Sequence, residues 1–121
     1  MFHMILIGLI IGAVVAFMVT FWREITEWLK TCIKAIKERN WKGVLYGTKV
    51  FLQKVGRKFK RIADHYSKLK YSDKWMKSTT IEEELVDPDE VPEDILMRAQ
   101  NDRSDKTDIS DKYEQVLENS N

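Results

Sequence analysis

VLYGTKVFLQKVGRKFKRIADHYSKL, Val44 to Leu69, is the stretch whose reading decides the fold class. At about 100° per residue, Val44, Leu45, Phe51, Leu52, Val55, Phe59, Ile62, Ala63, Tyr66 and Leu69 share about a third of a helical wheel. Lys49, Lys54, Arg57, Lys58, Lys60, Arg61 and Lys68 fall opposite. The spacing predicts a basic amphipathic helix. Val50 breaks the pattern, since it lies among the lysines. Gly47 and Gly56 each cost a helix roughly 1 kcal/mol against alanine.

The same period continues upstream. Ile25, Trp28, Leu29, Cys32, Ile33 and Ile36 fall on one arc with Trp22, while Arg23, Lys30, Lys34 and Lys37 fall opposite. This predicts a second basic amphipathic helix, with Asn40 and Gly43 as its stop. Two such helices suit either a packed hairpin or a surface rich in anionic headgroups, where each Lys or Arg is worth about 1 kcal/mol.

Before them, Met4 to Trp22 is a run of 19 residues without a formal charge. As a helix it would rise about 28 Å, close to the thickness of a hydrocarbon core. Met1-Phe2-His3 supplies no positive n-region, which argues against a cleaved signal. The run therefore reads as a single transmembrane helix. Gly8, Gly12 and Ala16 lie four apart on one face of it, a small-residue stripe suited to self-association. Basic residues follow the run and none precedes it. The positive-inside rule then places the chain in the plasma membrane, N-terminus outside and C-terminus cytoplasmic.

Charge is unevenly distributed. The chain has 121 residues and a net charge of +1, but 23–77 holds 16 basic and 5 acidic residues, while 78–121 holds 4 basic and 14 acidic. Trp75 to Ile81 is rich in β-formers and partly alternating, which predicts an extended segment or a short strand. One strand cannot stand alone, so it must pair with another chain, with itself in an oligomer, or lie against the helices. Pro92 to Ala99 reads as a short helix, with Pro92 in its first turn and Arg98 near its end. Val91, Ile95 and Leu96 are the docking residues of this acidic segment. From Gln100 the composition becomes that of a polar linker and tail, with Ser110 able to cap a last helix through Tyr113, Val116 and Leu117.

No reaction chemistry is legible. His3, His65 and Cys32, the only cysteine, do not combine into a metal or nucleophile pattern. Gly43 to Lys49 lacks the residue order of a phosphate-binding loop. The acidic cluster lacks the glycine and terminal glutamate of a calcium loop. No cofactor is expected.

Glu90-Val91-Pro92-Glu93-Asp94-Ile95, following an anchor and basic helices, resembles a segment of small uncharacterised bacterial or phage-encoded single-pass membrane proteins. The resemblance implies no particular function. The expected fold is mainly α: a transmembrane anchor (1–22), a basic amphipathic helical region (23–77), an acidic docking segment with a short helix (78–101) and a polar, disordered tail (102–121). The expected function is a non-enzymatic membrane anchor or adaptor. Arg23, Lys30, Lys34, Lys37, Lys49, Lys54, Arg57, Lys58, Lys60 and Arg61 would face an anionic lipid bilayer, and an unknown protein partner would be held there. An oligomerising, holin-like or toxin-like membrane protein is the alternative, built on Gly8, Gly12 and Ala16 as a homo-oligomer contact. A membrane-tethered nucleic-acid binder ranks third. Trp41, Tyr46, Phe51 and Phe59 are of a type that stacks on bases, but the helical arc claims Phe51 and Phe59 for packing.

Overall fold

The computed structural model describes residues 4–39 and 43–120. The expected stop at Asn40, the aromatic Trp41 and His3 lie outside them. In chain order the elements are strand β1 (Ile5–Leu6), helix α1 (Ile7–Gly12), helix α2 (Thr20–Arg39), and strands β2 (Gly43–Val55), β3 (Lys58–Leu69) and β4 (Trp75–Val86). A 3₁₀ turn (Pro88–Glu90), helix α3 (Glu93–Asn101), strand β5 (Lys106–Asp108) and helix α4 (Ser110–Ser120) complete the chain. The fold is mixed α and β around a five-stranded antiparallel sheet. Its order is β1-β2-β3-β4, and β5 also pairs with β2. The mainly α expectation is thus corrected.

Val44 to Leu69 is two strands, not a helix. Gly56 sits at φ +62° in the two-residue loop Gly56-Arg57, the geometry of a hairpin turn with glycine first. Once the chain reverses there, side chains alternate between faces. Thr48, Val50 and Leu52 on β2, with Phe59, Arg61, Ala63, His65 and Ser67 on β3, turn inward and are buried. Phe51, Ile62 and Tyr66 go to the other face. The helical arc had merged residues from both sides of a sheet.

Met4 to Trp22 is not a span. It is divided among β1, α1, a turn and the start of α2. Among the described residues no helix is long and apolar enough to cross a membrane. The transmembrane anchor, its single-pass assignment and the orientation in the plasma membrane are therefore corrected. The run breaks because Ile5 and Leu6 pair with Thr48 and Gly47, and Ala13 leaves α1 in an extended conformation. Gly47 permits the pairing: a Cβ there would stand 2.9 Å from the Met4 Cβ and 3.1 Å from the Ile5 carbonyl oxygen. Ile5, Ile7, Ile10, Ala13, Met18, Phe21 and Trp22 enter the core, while Leu6, Ile11, Val14, Phe17 and Val19 remain exposed.

The first amphipathic helix holds as α2. Its apolar arc (Ile25, Leu29, Cys32, Ile33 and Ile36) is buried in the protein. The expected strand also holds and extends through Val86. Helix α3 starts after Pro92 as expected. The tail expected to be disordered instead forms β5 and α4, with Ile109, Tyr113 and Leu117 fully buried. Side chains from all four helices join one cluster with Val50, Leu52, Phe59 and Ala63, so the helices lie on the inner side of the sheet. Trp22 of α2 stacks on Tyr113 of α4 at 5.7 Å between ring centroids.

Candidate functional site

With every helix on one side, the outer side of β2, β3 and β4 is left open. The strand register arranges its residues in rows. Val44, Lys68 and Trp75 form one row, Gly47, Tyr66 and Lys77 the next, then Lys49, Asp64 and Thr79, and then Phe51, Ile62 and Ile81. Gln53, Lys60 and Leu85 close the face near the hairpin turn. Cross-strand neighbours in such rows lie within side-chain reach.

A bulge shapes one end of the face. Leu45 pairs with Ser67 and Gly47 with Tyr66, so Tyr46 is an extra residue on β2. Bulges re-aim side chains. Here the Tyr46 ring meets Trp75 edge to face at 5.4 Å, and the Lys68 ammonium stands 4.9 Å from the Trp75 ring. Tyr46 is 45% and Trp75 49% exposed. The pair is therefore an accessible aromatic platform with a cation beside it.

At the centre of the face, Asp64 is almost fully buried. It accepts a 2.6 Å hydrogen bond from the Thr79 hydroxyl, and the Lys106 ammonium lies 3.8 Å away. The same ammonium lies 4.1 Å from the Phe51 ring centroid. The carboxylate is thus matched locally, and the aromatic-plus-lysine character of the face persists around it. Burial, with Asp64 and Asp108 nearby, pushes the Tyr66 phenol up, so it stays neutral at ordinary pH.

The expected lipid-facing cations do not form one surface. Lys49 and Lys60 belong to the open face, and Arg57 and Lys58 to the hairpin end, where Lys58 pairs with Asp87 at 3.2 Å. Lys54 donates to the Asp102 carbonyl at 2.7 Å. Arg61 is buried on the inner side, 3.4 Å from Glu24, and lines an acidic cleft of about 400 Å³ with Glu24, Glu27, Trp28, Thr31, Glu82 and Glu84. Arg23, Lys30, Lys34 and Lys37 sit on α2. Arg23 reaches Thr20, and Lys30 donates to the Ala13 carbonyl at 3.2 Å.

The other expected sites are also redistributed. Gly8 and Gly12 lie in α1, but Ala16 lies beyond its end, so the three share no helix face. Val91 and Ile95 are buried and Leu96 packs against the core, so these docking residues are used within the chain itself. Ser110 does not cap α4 with its hydroxyl, which instead accepts from the Val50 N–H at 2.8 Å.

The two groups with nucleophilic or acid–base potential are enclosed. Burial raises the Cys32 thiol despite a hydrogen bond from Thr80. His65 is fully buried, and its Nδ1 lies 2.8 Å from the Thr48 hydroxyl. Among the described residues no group of His, Cys, Asp or Glu side chains is placed to hold a metal ion. Sequence reasoning missed Trp75, Lys68, Tyr66 and Lys106 as a functional group. The available signal was Val55-Gly56-Arg57-Lys58, a glycine turn between β-branched and aromatic residues.

The chain matches no family model, no curated protein and no solved structure.

Proposed function

We propose that the chain is a non-enzymatic binding module that takes single-stranded nucleic acid on its open sheet face. The observation that carries this reading is the Tyr46–Trp75 platform with Lys68 over it, in one face with Phe51, Tyr66, Lys49 and Lys60. Single strands bind where aromatic rings accept successive bases and lysines follow the phosphates. The helical arc that claimed both Phe51 and Phe59 for packing does not exist. Phe59 is in the core, and Phe51 is on the outer face. Lipid is a poorer fit to these cations, because the apolar arc of α2 that would enter a leaflet is buried against the sheet.

The test is fluorescence anisotropy with a labelled single-stranded oligonucleotide. Trp75→Ala should weaken binding by about 1–3 kcal/mol, or roughly 5- to 150-fold, the range for loss of one base–aromatic stack. Engagement of about four lysines should give a slope near −3 in log affinity against log salt. No binding at low salt, or an unchanged affinity in Trp75→Ala, overturns the reading.

A further inference from the structure

Strand β4 is the end of the sheet, and among the described residues no strand pairs with its outer edge. It is long, running from Trp75 to Val86, and contains no proline. Charged residues on an exposed edge ordinarily serve to block pairing. On β4 they are sorted instead: Lys77 lies toward one end and Glu82, Glu83 and Glu84 toward the other.

That order is self-complementary. Consider two antiparallel β4 strands related by a two-fold axis at Thr80. Lys77 of each copy then stands opposite Glu83 of the other, Thr79 opposite Ile81, and Trp75 opposite Leu85. These residues belong to the outer face: pairing with β3 shows it for Trp75, Lys77, Thr79, Ile81 and Leu85, and Glu83 lies between Glu82 and Glu84, which line the inner cleft with Arg61. On the inner face Ser78 meets Glu82, which gives the carboxylate a hydroxyl donor. In this register Lys77 meets Glu83 and Ser78 meets Glu82, each twice, while Glu84 stands opposite Met76.

The strand is irregular near its acidic end. Between the pairs Ile62↔Ile81 and Lys60↔Leu85, the three residues Glu82, Glu83 and Glu84 face Arg61 alone. Ile81 and Leu85, exposed on the same strand, gain apolar neighbours in this arrangement.

We infer that β4 is a homodimer interface in which two copies of this chain join edge to edge, with Lys77 paired to Glu83 of the other copy. The two sheets become continuous and their open faces lie on the same side, because an isologous two-fold perpendicular to the sheet preserves face. This inference stands on the edge strand and does not require the nucleic-acid reading.

Sedimentation velocity of the full chain tests it by charge exchange. The wild type should dimerise. K77E alone and E83K alone should each raise the dimer dissociation constant by roughly tenfold or more, because each turns both symmetric pairs into like charges. Mixing the K77E chain with the E83K chain should restore dimers, which a folding defect in either chain cannot imitate. The double variant K77E/E83K should also dimerise as a homodimer. A wild type that stays monomeric to millimolar concentration overturns the inference. So does a dimer indifferent to both single substitutions, or a mixture that fails to associate.

Discussion

Replacing Tyr113 with alanine should destabilise the protein by about 3–5 kcal/mol, the range for truncating a large buried aromatic. Tyr113 is fully buried and stacks on Trp22. It also closes a chain of hydroxyls. Thr26 donates its single proton to the Trp22 carbonyl at 2.8 Å, so the Tyr113 O–H donates to the Thr26 oxygen, also at 2.8 Å. Burial pushes the phenol pKa up, which keeps it a donor. Tyr113→Phe should cost only about 1 kcal/mol, since it removes the hydrogen bond but keeps the stack. Urea denaturation followed by circular dichroism compares the two variants. A loss below about 0.5 kcal/mol for Tyr113→Ala means that α4 is not docked on α2.

Acid should remove a comparable amount of stability through His65. Burial lowers its pKa from 6.5 to about 4, against an opposing pull from Asp64. Protonation would place a charge and a second N–H in a space where Nε2 has no partner among the described residues. Because the folded pKa lies below the unfolded one, the unfolded chain binds the extra proton between these values. Stability is fully present above about pH 6.5 and falls as pH drops toward 4, by roughly 3 kcal/mol in all. Asp111, held low by its hydrogen bond from Arg98, loses its contribution in a more acidic window, below the ordinary carboxylate value. His65→Gln should therefore flatten the profile between pH 4 and 6.5 while leaving the steeper loss below it. A slope unchanged in His65→Gln would show that another group titrates there.

These two side chains also show what the sequence made legible. Helix α2 was readable because its buried residues keep one period for five turns and its opposite side is charged. The β4 strand and α3 were readable from alternation and from Pro92. Val44 to Leu69 was not, because neither face of the hairpin is uniformly apolar. The inner row carries Thr48, Arg61 and His65, and the outer row carries Phe51, Ile62 and Tyr66. A mixed pattern of this kind fits a helical wheel by coincidence, and only the Gly56 turn distinguishes the two. Met4 to Trp22 misled for the opposite reason: its composition is uniform, so nothing in the run marks where β1 ends or α2 begins. What holds Ile5 and Leu6 out of a helix is pairing with Thr48 and Gly47, more than 40 residues away. The open face was invisible for the same reason, since Tyr46, Lys68 and Trp75 meet only through strand register. Val91, Ile95 and Leu96 were legible as a docking group, and their dock proved to be the chain's own core.

The open face is best tested by a nuclear magnetic resonance titration of the full chain with a single-stranded oligonucleotide. Shifts should concentrate at Tyr46, Phe51, Tyr66, Lys68 and the indole N–H of Trp75, with Lys30, Lys34 and Lys37 on α2 unperturbed. Shifts confined to α2, or none anywhere on β2, β3 and β4, would contradict the nucleic-acid reading.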